Sequence, residues 1–131
     1  MKTLKKLLFA VLSAMLLTSC AADTSSSNGY RQVSASEAAE LMRSEKNYVI
    51  LDVRRADEYA DGHIVGAINI PNETIGDAEI AELPDKNQMI LVYCRSGNRS
   101  KQASDKLAKL GYTNVYEFGG IIDWTGEIVG K

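Results

Sequence analysis

Met89-Ile90-Leu91-Val92-Tyr93-Cys94-Arg95-Ser96-Gly97-Asn98-Arg99-Ser100 is the stretch whose reading decides the fold. Its apolar run, Met89–Tyr93, lacks the alternation of a strand with one wet face, so it is expected as a strand buried on both sides of a parallel sheet. Polar residues and a glycine follow. A helical period then sets in: Ala103, Leu107 and Leu110 recur at i, i+4 and i+7, and Gly111 stands where a left-handed residue ends a helix. The spacing predicts a helix over Arg99–Leu110, joined to the strand by a short loop that begins at a cysteine.

Working outward, four more runs rich in β-branched and aromatic residues are expected as strands: Tyr30–Val33, Tyr48–Val53, Ala67–Ile70 and Val115–Phe118. Helical signals lie between them. Ser34 followed by Glu37 is a capping box, opening a helix with Ala38, Leu41 and Met42 on one face. Short helices are expected at Ala56–Ala60 and at Ile75–Glu82, the latter stopped by Leu83-Pro84 because the residue before a proline disfavours the α region. Strands alternating with helices define the fold class: α/β, a three-layer α/β/α domain on a five-stranded, mostly parallel sheet, occupying 30–131.

The N-terminal residues do not belong to that domain. Lys2, Lys5 and Lys6 precede an apolar run from Leu7 to Leu17, the basic and hydrophobic regions of an export signal, too short to span a bilayer comfortably. Leu17-Thr18-Ser19-Cys20 resembles the lipobox of bacterial lipoproteins. That resemblance implies a signal peptide over 1–19, lipidation of Cys20, a flexible Ser-rich tether over 20–29 and a mature protein anchored to the cell envelope; a plain secretory signal is the alternative. Ala21 after the cysteine would favour the outer membrane in a Gram-negative host.

Charge and cysteine count narrow the function further. Of 15 basic residues three lie in the signal, leaving 12 against 17 acidic ones and a mature net charge of −5, so nucleic acid is not an expected partner. With Cys20 lipidated, Cys94 is the only remaining thiol and no internal disulfide can form. One histidine and two cysteines are too few for a protein-built zinc or iron–sulfur site, so no metal and no cofactor are expected.

In open α/β sheets ligands gather beyond the carboxyl ends of the strands. Cys94 sits there, at the mouth of a loop running into a helix N-terminus. Converging N–H groups and the helix dipole favour a thiolate, and would equally hold a persulfide or an oxyanion. Arg95 and Arg99 add positive charge, and Gly97 gives the backbone freedom a tight cradle needs. The plain alternative, an inert core cysteine, does not account for two arginines and a glycine beside it.

These residues match a known pattern. Leu51-Asp52-Val53-Arg54, Glu58-Tyr59 and Gly62-His63-Ile64-Val65-Gly66-Ala67-Ile68-Asn69-Ile70-Pro71 resemble the first signature of rhodanese-like domains. Ile90–Ser100, Ala103, Leu107, Gly111-Tyr112 and Asn114-Val115 approximate the second, and Gly119-Gly120-Ile121 with Trp124 a terminal element. The resemblance implies a sulfurtransferase in which Cys94 takes sulfane sulfur from a donor, becomes a persulfide and passes the sulfur to a thiol or cyanide acceptor. It further implies that the amides of Arg95, Ser96, Gly97, Asn98 and Arg99 hold the transferred sulfur, that Arg95 and Arg99 guide a small anionic donor such as thiosulfate, and that Asp52 and Arg54 stand around the loop as substrate-binding residues or as a structural salt bridge. Glu58, His63, Trp124 and the paired glycines are expected as scaffold.

Two other classes share the architecture: non-catalytic binding or sulfur-carrier modules, of which the protein-interaction units usually lack the cysteine, and dual-specificity phosphatases, whose arginine lies six positions after it. Here the arginine is five positions on and position 100 is serine, a smaller ring that suits one sulfur atom better than a phosphoryl group. The physiological donor and acceptor and the oligomeric state are not written in the sequence.

Overall fold

The computed structural model describes residues 29–130. Its elements in chain order are β1 (Arg31–Gln32), α1 (Ala35–Ser44), β2 (Tyr48–Asp52), α2 (Ala56–Asp61), β3 (His63–Ile64), β4 (Ile68–Asn69), β5 (Met89–Cys94), α3 (Asn98–Lys109), β6 (Val115–Gly120) and β7 (Ile128–Val129), with 3-10 turns at Asn72–Thr74 and Ile121–Asp123. Five strands form one sheet in the order β1-β6-β5-β2-β4, every pairing parallel. The α/β class and the five-stranded parallel sheet expected from the sequence are thus present.

β5 is central and buried on both faces, as its unbroken apolar run requires. Ile90, Val92 and Cys94 enter one core with Leu51, Val53, Ala103, Leu107 and Val115. Leu91 and Tyr93 enter the other with Ala38, Ile50, Ile64 and Phe118. Consecutive residues of a strand point to opposite faces, so the helix carrying Ala103 and Leu107 and the helix carrying Ala38 lie on opposite sides of the sheet. That separation places Cys94 under α3 and Tyr93 on the α1 side.

α1 begins as its capping box dictates: the Glu37 amide donates to Ser34 Oγ at 3.0 Å, and the Ser34 amide donates to Glu37 Oε2 at 3.1 Å. Gly111 closes α3 with φ +99°.

The helix expected over Ile75–Glu82 is not formed. Asn72–Thr74 makes a 3-10 turn that returns the Ile75 amide to the Asn72 carbonyl, and the chain then crosses the face of the sheet irregularly. Eight residues are too short to nucleate a helix alone, and Gly76 and Asp77 weaken its first turn. Ile75 and Leu83 are buried there as separate anchors. The antiparallel pair β3–β7, two residues a side, had no sequence period to betray it.

The export signal expected over 1–19, Cys20 and most of the expected tether lie outside the described residues. Among the described residues no helix is long and apolar enough to cross a membrane, and no His, Cys, Asp and Glu side chains cluster as a metal site would need.

Candidate active site

β6 carries the irregularity that shapes the site. Val92 of β5 pairs with Glu117, yet Cys94, two residues on, pairs with Gly120, three residues on. The extra residue on β6 is a bulge, with Gly119 at φ +90°. It lets the strand end press directly against the cysteine loop: a Cβ on Gly120 would sit 1.9 Å from the Arg95 carbonyl oxygen. Only glycine fits there, and the Ile122 amide, donating to that same carbonyl, ties the loop down from the other side. The second glycine constraint is Gly97, whose φ of +113° turns the chain into α3.

Cys94 is the last residue of β5 and only 1% exposed. The sulfur therefore occupies the floor of the loop, a correction to its expected place at the mouth. It accepts the Gly97 amide at 3.0 Å and lies 3.4 Å from Ser100 Oγ. Gly97 brings no side-chain cap to α3, and no acid stands in the helix's first turn, so the positive end of the helix is left to the sulfur. Burial alone would push the thiol up. The Ser100 hydroxyl and the amides of Ser100, Gly97 and Ser96 outweigh it and hold the thiol below its ordinary value of 9.0.

The other loop residues divide in two. Arg95, Ser96 and Asn98 are exposed around the sulfur's loop. Arg99 instead lies in a bidentate pair with Glu58 of α2, with Nη1–Oε1 2.6 Å and Nη2–Oε2 3.1 Å. This clamp joins α2 to the head of α3 across the sheet edge. It is the first cause of the Glu58 carboxyl's fall to about 2.

Asp52 and Arg54 form a network of their own. Asp52 is fully buried; its Oδ1 accepts the Arg54 amide and Nε, and its Oδ2 accepts Arg54 Nη2 at 2.8 Å and the Tyr93 hydroxyl at 2.6 Å. Arg54 Nη2 also donates to the Gly62 carbonyl, and Tyr93 Oη accepts the Ile64 amide. The pair welds β2, β5 and the turn after α2 together beneath the α1 face, with none of its hydrogen bonds going to residues 95–99. Tyr93, pushed upward by burial and by Asp52, keeps its proton for this purpose. His63 stacks on Tyr59 at 3.7 Å with its Nδ1 on the Tyr59 carbonyl, which holds it at the start of β3 rather than beside the cysteine. Trp124 packs on Phe118 at 5.7 Å.

Ser100 beside the sulfur, and Glu117 hydrogen-bonded to Ser100, were not anticipated in these roles. Ser100 is buried, and its Oγ lies within hydrogen-bond distance of the Gly97 carbonyl, the Gly119 carbonyl and Glu117 Oε1 as well as Cys94. Glu117, 2% exposed, stands mid-strand in β6. Its one signal in the sequence was an acid inside the apolar run Val115–Phe118.

The fold and a cysteine loop at a parallel strand's carboxyl end define a class, and comparison with known proteins agrees with it. The rhodanese-like domain family model matches residues 34–127, and the chain belongs to that family. It is 41% identical over 73 residues to thiosulfate sulfurtransferase PspE of Escherichia coli, covering 56% of this chain and 70% of that one. It is 35% identical over 96 residues to thiosulfate sulfurtransferase GlpE of Coxiella burnetii, covering 72% and 87%. Among solved structures, a rhodanese with anions from E. coli superposes with a TM-score of 0.59 at 37% identity, over 64% of this chain and 99% of that one. A rhodanese-like domain from Anabaena gives 0.69 at 31%, over 76% and 79%.

Proposed function

We propose that this chain is a thiosulfate-type sulfurtransferase working through a persulfide on Cys94, exported and held at the bacterial cell envelope by lipid on Cys20. The observation that carries the catalytic part is the sulfur's position: at a helix head, accepting the Gly97 amide at 3.0 Å, with the thiol held below its ordinary value. A thiolate in such a cradle attacks the outer sulfur of an anionic donor. The donor's S–S bond breaks, sulfite leaves with the electron pair, and Cys94 keeps the sulfur as a persulfide. An acceptor such as cyanide or a thiolate then takes that sulfur and the electron pair of the Cys94 S–S bond returns to the cysteine.

Arg95, with Ser96 and Asn98 exposed beside it, receives the donor, Gly97 shapes the ring, and Arg99, clamped by Glu58, fixes its far side while still lending charge. Asp52 and Arg54 act by holding β2 against β5 below the loop. The domain takes in 30–131, with 1–19 as signal and 20–29 as tether. Thiosulfate:cyanide sulfurtransfer by the purified protein, lost in Cys94→Ser, tests this function. Hydrolysis of an aryl phosphate, or a partner bound with no sulfur transferred, would point to the phosphatase or binding-module alternatives.

A further inference from the structure

We propose that Glu117 and Cys94 share a single proton through the hydroxyl of Ser100, making Glu117 a positioning residue that stores the thiol proton while sulfur is transferred. The proposal rests on the persulfide function of Cys94 and goes beyond it.

A carboxylate at 2% exposure is costly unless a cation or several donors meet it. Among the described residues Glu117 pairs with no lysine or arginine. Its Oε1 accepts the Gly119 amide at 2.9 Å and the Ser100 hydroxyl at 2.7 Å. The same bulge that seats Gly120 on the cysteine loop turns the Gly119 amide onto Glu117, so acid and thiol are brought together by one backbone feature.

Ser100 has one proton, and the Gly97 and Gly119 carbonyls, at 3.0 and 3.3 Å, lie within its reach besides the Glu117 carboxylate and the Cys94 sulfur; the carboxylate is the nearest of the four and, with the sulfur, one of the two that can themselves carry a proton. With Glu117 ionised, the hydroxyl donates to Oε1, the shorter contact, and its oxygen faces the thiol at 3.4 Å as an acceptor for S–H. With the chain of protons moved one step, Glu117 is protonated and donates to Ser100 Oγ, and Ser100 donates to a Cys94 thiolate. Both arrangements carry one negative charge. Two anions bridged by one hydroxyl in a buried site repel, so one proton serves both groups.

Other groups facing the pair come from three elements. α3 supplies Arg99, whose charge is attracted to the sulfur but whose fork is taken by Glu58 of α2. β1 places Gln32 opposite Glu117, and its Arg31 donates to the Tyr116 hydroxyl. None of these offers Glu117 a proton or a counter-charge at hydrogen-bond distance.

During transfer the balance closes without any outside acid. The proton passes from Sγ through Ser100 to Glu117, and the thiolate bonds to the donor's outer sulfur as the donor's S–S bond breaks. The persulfide then holds the single negative charge while Glu117 keeps the proton. When the acceptor removes the sulfur, the thiolate is restored and the proton can return.

The test is a pH titration of thiolate ultraviolet absorbance on the full chain, each profile taken as a difference against the matching Cys94→Ser protein. The wild type should titrate in two steps. Glu117→Gln, which keeps the size and the Ser100 contact, should titrate in one step, with its midpoint at least about one pH unit below the wild-type upper step. Ser100→Ala keeps the carboxylate but removes the bridge, and should lose the lower step alone. A Glu117→Gln profile that superimposes on the wild type overturns the proposal, as does a Ser100→Ala profile with both steps intact. Either result leaves sulfur uptake from thiosulfate to be judged separately: a protein with the two-step profile that takes up no sulfur would sink the transferase function and not the shared proton.

Discussion

Gly120 sets the tightest limit on the site. A methyl group there would collide with the Arg95 carbonyl at 1.9 Å and with Ser96, so either the loop or the end of β6 must move. Gly120→Ala is expected to destabilise the fold by roughly 3 kcal/mol or more and to abolish sulfurtransfer, as read from urea unfolding and from thiocyanate production. Tyr93→Phe is gentler. It removes the donor to Asp52 Oδ2 and the acceptor for the Ile64 amide, and should cost about 1–3 kcal/mol in the same unfolding measurement. Cys94 could be found from sequence because a thiol followed by Arg-Ser-Gly-Asn-Arg has no packing explanation. Glu117 could not, since whether an acid in a strand points to solvent or to a neighbouring helix depends on a register, and here on a bulge, that no local pattern encodes.

Among the elements, the link between α2 and the head of α3 is the one most exposed to pH. Glu58 has its carboxyl lowered to about 2 from an ordinary 4.5, first by its hydrogen bonds to Arg99. A carboxyl lowered in the folded state adds stability above its unfolded value and loses it as pH falls through the folded one. Stability should thus decline between about pH 4.5 and pH 2, and Glu58→Gln should flatten that decline, measured as the thermal midpoint across the acid range; an unaltered slope would contradict it. α1 was legible from its capping box and apolar face, and α3 from its period and the Gly111 that ends it. The Ile75–Glu82 segment misled because its composition matches a helix, whereas only Ile75 and Ile80 pack onto the core and Ala78 and Ala81 stay exposed. β3 and β7 are two residues long and exist only through each other, a contact between residues about sixty-five apart in sequence that no local pattern carries.

For the whole molecule, the parallel order and the two buried faces follow from alternating strands and helices, and this much was readable from hydrophobic runs alone. What was not readable is how the sheet's two faces divide the work: the Asp52–Arg54–Tyr93 network stabilises one while the sulfur sits on the other, a split set by the alternation along β5. The proposed lipid on Cys20 predicts that the protein partitions with membranes and that Cys20→Ala releases it into the soluble fraction; unchanged partitioning would mean another mode of attachment. The central claim concerns sulfur on Cys94, and intact-protein mass spectrometry after incubation with thiosulfate tests it most directly. The wild type should gain one sulfur atom, localised to Cys94 and removed by cyanide, while Cys94→Ser gains none. A wild-type mass that does not change, with the protein folded and donor in excess, would contradict the account.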